Sequence, residues 1–448
     1  MRPRATRSGS YDAEAQQPED DEDDKKERRG WRRGFVSSVA ATVGLCVVAY
    51  VLWPRQLSPV DAAAHKAAAS ALRARLAELT RRIQTRVRHR RERHPAPSFR
   101  RLAEAAPPRA SVGAGASASD AALAVLRRRV ATAEREAWRQ ENVDREGAYE
   151  SLCDRAPPKP SSKRVVRVAT VNLWQPQAAS WPARRRAIAG ILREAAPDIV
   201  AMQEVRGGAN WAEELRRELE GLDHARYVAG TGDGRGGAAP PGWTEEGVAI
   251  LSRFALEAED TVGMPPARDS SDRNPRTTLG ARVATPLGTL RVVASHLSYD
   301  RDQQCRAVRD HLKPWLDGLW DSDKNVRAQV LLGDLNIYPD FEWPIDTLEL
   351  APDVRAALGS PCAAGGSTTT TTKNPPVFVD AWTATRNDDP GWTFPNPETL
   401  HLDPARPDRV LVRGLVPREA FVLGCDPLVD NPNTWPSDHR ILVVDLVR

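Results

Sequence analysis

The apolar and polar positions divide the chain into two textures. From about Arg164 onward, short apolar runs alternate with longer stretches of mixed polarity. VVRVATVNLW (165–174) and DIVAMQEV (198–205) have strand length, and the stretch from Trp181 to Ala195 between them has helical spacing. GVAILSR (247–253), LGARVAT (279–285), LRVVASHL (290–297) and AQVLLGDLNI (328–337) are further predicted strands. RVLVRG (409–414) and ILVVDL (441–446) complete the set, each bounded by turns or helical segments. Strands and helices alternating over about 285 residues predict one α/β domain at 164–448, large enough to bury a substantial core. GGSTTTTTK at 365–373 reads as a low-complexity loop within it.

The N-terminal texture is different. Residues 1–34 are polar and predict a disordered tail, with an acidic run followed by Lys25, Lys26, Arg28, Arg29, Arg32 and Arg33. Phe35 to Trp53 then carries neither a charge nor a proline over nineteen residues. As a helix it would be about 28 Å long, close to the ~30 Å hydrocarbon core of a bilayer. Tyr50 and Trp53 lie where aromatic belts form. The expectation is a single-pass signal anchor at 35–53 with a cytoplasmic N-terminus. The C-terminal portion then lies on the lumenal or extracellular side. A cleaved signal peptide would have a shorter leader and a shorter apolar core.

Residues 54–163 read as a helical, partly disordered stem. Leu72, Leu76, Leu79 and Ile83 recur at helical spacing, as do Leu123, Leu126, Val130 and Ala133. Each run gives about two heptads, short for a coiled coil, so weak self-association is the expectation. Prolines at 95, 97, 107 and 108 and the ASVGAGASAS segment separate the two runs.

Charge follows the same division. Residues 1–163 hold 32 Lys+Arg against 21 Asp+Glu, a net of +11, and residues 164–448 hold 32 against 39, a net of −7. Duplex DNA needs a positive surface, so the acidic half gives it little support. Arg184 to Arg186 form a local basic patch whose plainest reading is a solvated helix start. Five cysteines without a CxxC pair argue against structural zinc. On the far side of a membrane, Cys153, Cys305, Cys362 and Cys425 would meet an oxidising compartment. They allow three full pairings, among which the sequence does not choose.

The chemistry lies at the ends of the predicted strands. Asn172, Glu204 and His296 end strands, and Asp334 and Asn336 follow VLL. Asp408 precedes RVLV, and Ser437, Asp438 and His439 precede the last strand. Loops at strand ends supply polar atoms on a rigid frame. Carboxylates with an amide oxygen are hard donors suited to Mg²⁺ or Mn²⁺. Two histidines then remain for proton transfer or for contacts to developing charge. Taken singly, each residue has a bland alternative: His296 a satisfied structural histidine, Asp334 and Asn336 a turn, Asp408 a partner for a neighbouring arginine.

Taken in order, Asn172, QEV with Glu204, SHL with His296, GDLN, DRVLV and SDH resemble the endonuclease/exonuclease/phosphatase superfamily. That superfamily includes DNase I-like nucleases, abasic-site endonucleases, neutral sphingomyelinases and inositol-phosphate 5-phosphatases. The resemblance implies a four-layer α/β sandwich, two mixed sheets face to face with helices outside. It implies a hydrolase of phosphoric esters using Mg²⁺ or Mn²⁺. Glu204 would be the central metal ligand, with Asn172 and Asp438 near or on the ion. Asp334 would orient or deprotonate the attacking water, beside Asn336. His439, oriented by Asp408, would be general base or donor, and His296 would bind a phosphoryl oxygen or assist the leaving group. Softer substrate-site assignments are Glu246, pairing with that histidine, and Arg276 at the phosphate. Where many members read Arg-Ile-Asp-Tyr, this chain has Arg406-Pro407-Asp408-Arg409. The expected substrate is a phosphodiester or phosphomonoester, a lipid or small diester ahead of nucleic acid, since a tether concentrates the enzyme near lipid. A membrane-anchored binding or scaffold protein that keeps the fold without turnover is the alternative from another class.

Overall fold

A computed structural model of the protein describes most of residues 153–448, chiefly without 231–244, 363–375 and 395–404. On the N-terminal side it describes only Ala71, Arg75, Ala122 and Val125. The tail at 1–34 and the expected span at 35–53 lie outside the described residues, as do the apolar positions that define the two stem runs. Among the described residues, no helix is long and apolar enough to cross a membrane.

Twelve strands among these residues form two six-stranded sheets. The first takes β1 (Val166–Asn172), β2 (Ile199–Arg206), β3 (His224–Ala229), β4 (Glu246–Ser252), β11 (Val416–Leu423) and β12 (Ile441–Val447), in the order β11-β12-β1-β2-β4-β3. The second takes β5 (Leu256–Met264), β6 (Arg276–Thr285), β7 (Gly288–His296), β8 (Ala328–Asp334), β9 (Val379–Asp380) and β10 (Asp408–Arg413), in the order β5-β6-β7-β8-β10-β9. Both sheets are mixed: β1–β2 and β7–β8 pair in parallel and the remaining pairs are antiparallel.

Side chains alternate between the faces of a strand. One set of faces (Val168, Ala201, Ile250, Ala281, Val292, Leu332, Val410, Val444) forms the core between the sheets. The opposite faces are covered by helices. On the first sheet, Ala169, Val171 and Met202 pack against Ile188 and Leu192 of α1 (Trp181–Ala195) and Leu215 of α2 (Trp211–Glu218). On the second, Val293, Leu331 and Leu411 meet a helical run. It begins with α3 (Arg301–Arg306), continues through a π-helical turn (Ala307–Leu312) into α4 (Lys313–Ser322), and is joined by α5 (Trp343–Glu349). The result is the expected helix–sheet–sheet–helix layering. The helix predicted from Trp181 to Ala195 has those bounds in the structure. Proline at its start fits a first turn whose N–H has no partner to lose.

Two short helices, α6 (Pro352–Leu358) and α7 (Ala381–Thr385), complete the domain. Ala122 and Val125 are buried in a satellite core with Trp343, Val354, Cys305 and Cys362. Ala122 and Val125, both within residues 54–163, thus pack against residues of the α/β domain. The cysteines pair Cys153–Cys425 and Cys305–Cys362.

Candidate active site

The inter-sheet core ends in polar residues at one edge. Two residues beyond Ala294, Leu332 and Val410, on the same faces, stand His296, Asp334 and Asp408. Strand register then sets them in one row, because His296 pairs with Asp334 across β7–β8 and Asp408 pairs with Asp334 across β10–β8. Asn172 holds the corresponding place at the end of β1, and Glu246 at the start of β4. Glu204 reaches the site differently. The β2–β4 ladder shifts register between Met202 and Val205, and Glu204 has a φ of 54°. A bulge with a left-handed residue redirects that side chain out of simple alternation.

Asp334 is the hub. Its Oδ2 accepts the Asn172 amide at 3.1 Å and lies 3.4 Å from His296 Nε2 and 3.6 Å from His439 Nε2. Its Oδ1 accepts the backbone N–H of Asn336 at 2.8 Å, so the turn expected as a bland alternative is present as well. Burial opposes charge on Asp334, but His439 and His296 outweigh it and hold the carboxyl well below the usual range.

His439 Nδ1 pairs with Asp408 Oδ2 at 2.8 Å, and Thr393 Oγ1 donates to the same oxygen at 2.6 Å. Asp408 Oδ1 is buried with no hydrogen-bond partner, and burial raises this carboxyl despite His439. Burial alone would lower His439, but Asp408 and Asp334 raise it well above its ordinary value. The Phe394 ring lies 4.7 Å from the imidazole, between centroids.

His296 sits between Asp334 and Glu246, whose Oε1 is 3.5 Å from Nδ1. Burial and Arg276 lower it, yet hydrogen bonds to those two carboxylates push it up to about 9. Asn336 Nδ2 lies 3.2 Å from His296 Nε2 and donates to the Leu297 carbonyl at 2.9 Å. Arg276 is buried and held by Asp272, through Nε at 3.1 Å and Nη2 at 3.0 Å, with Glu246 at 3.5 Å.

The residues proposed from sequence for the metal lie beside this hub. Asn172 Nδ2 donates to Glu204 Oε1 at 3.0 Å, and Gln175 N–H donates to Glu204 Oε2 at 2.9 Å. Asn172 Oδ1 accepts the Trp174 N–H, so as placed Asn172 orients Glu204 and Asp334. Asp438 is pushed up to about 7, by burial first and then by the Glu204 and Asp334 carboxylates, against the opposing pull of His439. Acidic side chains forced together in this way fit a divalent hard cation, which would relieve their repulsion. The tightest set of ligand-type side chains among the described residues is Asp334, Asp408 and His439, within 4.8 Å of one another. The 2.8 Å pairing of His439 Nδ1 with Asp408 turns Nε2 toward Asp334, 3.6 Å from its Oδ2, an arrangement suited to proton transfer.

All ten residues singled out from sequence therefore fall at this one edge. Thr393, Asp272 and Arg184 join them there without any signal in the sequence that assigns them to the site. Thr393 lies within GWTFPN and Asp272 in a Ser/Asp/Asn-rich turn, where hydrogen-bonding residues are ordinary.

Two packed sheets between helices, ending in clustered carboxylates and two carboxylate-paired histidines, define an α/β-sandwich hydrolase suited to phosphoric esters. The sequence model of the Endonuclease/Exonuclease/phosphatase family matches residues 169–439. The chain belongs to that family and is a hydrolase acting on phosphoric ester bonds. None of the curated proteins matches it. Similar solved structures include a humanized D. rerio TDP2 carrying 14 mutations (16% identity, 64% of this chain and 100% of that one, TM-score 0.45). A truncated Caenorhabditis elegans TDP2 is similar at 18% identity over 63% of this chain and 98% of that one, with TM-score 0.43. The mannosyl-6-phosphatase Bt3783 of Bacteroides thetaiotaomicron is similar at 16% identity over 63% and 100%, with TM-score 0.45.

Proposed function

We propose that this protein is a Mg²⁺-dependent (or Mn²⁺-dependent) phosphoesterase that cleaves a lipid or small phosphodiester by in-line attack of water. It works tethered to a membrane through residues 35–53, with the catalytic domain on the lumenal or extracellular side. The observation that carries the chemistry is Asp334 Oδ2 within 3.6 Å of Nε2 of both histidines, while Asp408 occupies the other nitrogen of His439.

Glu204 and Asp438 would hold the cation, and Asn172 orients Glu204. When bound, the cation supplies Lewis-acid polarisation of a phosphoryl oxygen. Asp334 accepts a hydrogen bond from the attacking water and directs its lone pair at phosphorus. Asp408 keeps the His439 proton on Nδ1 in the neutral ring, so Nε2 faces the reacting group to take or return a proton. His296, with Nδ1 2.9 Å from Arg276 Nη1 and Nε2 turned toward Asp334, donates from Nε2 to a phosphoryl or leaving oxygen. Asn336 Nδ2 donates beside it. Arg276, neutralised by Asp272 and Glu246, fixes the His296 ring.

The substrate preference rests on the −7 charge of residues 164–448 and on the tether. The two disulfides support an oxidising location. The test uses the full chain in detergent against sphingomyelin, phosphoinositides, single-stranded and duplex DNA, and RNA. Cleavage of a lipid with Mg²⁺, abolished by chelator and in Glu204→Gln, is the expected outcome. Cleavage of nucleic acid alone would replace the substrate assignment. Silence throughout with metal bound would favour the binding or scaffold reading.

A further inference from the structure

Arg184 stands in the first turn of α1, where a run of three arginines reads as a solvated helix start. Its exposure is 0%. Nη1 donates to the carbonyls of Leu173 at 2.8 Å and Pro436 at 2.9 Å. Nη2 donates to the Trp174 carbonyl at 3.1 Å, and Nε to Ser180 Oγ at 3.0 Å. The rings of Trp174, Trp181 and Trp211 surround the guanidinium at 5.6, 5.7 and 6.0 Å, the last two stacked on each other at 4.1 Å.

These acceptors come from two separate places in the chain. Leu173 and Trp174 directly follow Asn172. Pro436 directly precedes Ser437, Asp438 and His439. One planar cation thus bolts the exit of β1 to the loop that enters β12, whose Pro436 is 252 residues from Arg184 in sequence. A parallel tie runs from Ser437 Oγ to the Asn172 carbonyl at 2.7 Å. Burying a charge costs several kcal/mol unless it is compensated, and packing alone would be served by an apolar side chain. The compensation here comes from three carbonyls, the ring faces and the field of Asp438 and Glu204. Burial lowers this guanidinium to about 10, so it stays charged at neutral pH. Only a guanidinium has the fork that reaches carbonyls on two loops at once.

We propose that Arg184 is a positioning residue that locks the Asp438–His439 loop against the Asn172–Trp174 loop, so that the cation-holding carboxylates and the His439 imidazole address one phosphoryl group. This rests on the proposed metal-dependent reading of the site.

The test compares the full-length wild type with Arg184→Lys, which keeps the charge but cannot span both loops. It adds Ser180→Ala, which removes one guanidinium partner and leaves the fold intact. Mn²⁺ affinity is measured by calorimetry without substrate, and turnover with bis(4-nitrophenyl) phosphate. In Arg184→Lys, Mn²⁺ binding is expected to weaken at least tenfold. There kcat is expected to fall at least tenfold at saturating metal, with KM changed less than threefold. Ser180→Ala is expected to move the same two quantities in the same direction by a few fold. Wild-type Mn²⁺ affinity and kcat in every variant that folds would overturn the proposal and leave Arg184 a packing residue. Should the wild type itself neither bind Mn²⁺ nor hydrolyse the probe, the metal-dependent reading fails first, and this inference with it.

Discussion

Asp408 Oδ2 accepts both the Thr393 hydroxyl and His439 Nδ1, while its other oxygen is buried without a partner. Its side-chain hydrogen bonding therefore runs through one oxygen, shared between the His439 imidazole and the Thr393 hydroxyl. Asn in its place keeps the shape but can turn its amide toward Nδ1, which favours the tautomer with the proton on Nε2. We expect Asp408→Asn to lower kcat by about 10²–10⁴, with KM little changed and the melting temperature within a few degrees, as measured by steady-state kinetics and thermal melts. At this scale much was legible. Asp408 and His439 stand in short motifs whose order carries the family resemblance. In the Arg406-Pro407-Asp408-Arg409 departure, Arg406 and Arg409 both pair with Asp380, at 2.9 and 2.8 Å, and Asp408 lies 2.8 Å from His439 Nδ1. Thr393 was not legible, because a threonine in a loop has many ordinary partners and only proximity selects this one.

At the scale of elements, the site is a product of register. Parallel pairing of β7 with β8 and antiparallel pairing of β8 with β10 put three reactive side chains in one row. Gly333 makes that pairing close. Its φ is 152°, and a Cβ there would stand 1.8 Å from the Ser295 carbonyl oxygen on the neighbouring strand. Gly333→Ala is expected to push β8 from β7 at the residue before Asp334. It should cost on the order of 3 kcal/mol in urea unfolding and most of the turnover. A variant with wild-type midpoint and rate would show that the strands part without consequence. The same scale separates what could be read from what could not. β1, β8 and β10 are buried throughout, and short clusters of Val, Leu and Ala between their polar residues mark them in the sequence. β3, β5 and β11 lie on sheet edges; β5, LEAEDTVGM, is largely exposed, and its charges hide it from any apolar pattern.

For the whole molecule, the disulfides bind distant parts of one domain. Cys153–Cys425 spans 272 residues and clips the end of the stem to the exit of β11, where Asp154 also accepts the Val422 N–H at 2.9 Å. Cys305–Cys362 lies in the satellite core that receives Ala122 and Val125. If the domain resides beyond the membrane, protein made in microsomes will yield both cross-linked peptides by non-reducing mass spectrometry. Its catalytic domain will then resist added protease until detergent is present. Digestion in sealed vesicles, with all four thiols free, would place the domain on the cytoplasmic side and overturn the anchored topology.

Sequence by itself determined the layering and the inventory of reactive groups. Apolar periodicity reports burial, buried strands alternate with helices only in an α/β architecture, and the ordered motifs at strand ends name the family. It also determined the apolar span at 35–53 as a pattern, whose placement in a bilayer stays a proposal. Tertiary structure alone decided which groups share a partner. Asp334 reaches both histidines because two sheets meet there. The bulge at Glu204 turns a strand residue into the site. Cysteines 272 residues apart become neighbours, and an arginine that looks solvated in a helix pattern is enclosed by rings and carbonyls from two loops. Periodicity describes one element against an averaged surround. Contacts between elements depend on the relative placement of whole sheets, and no local pattern encodes that.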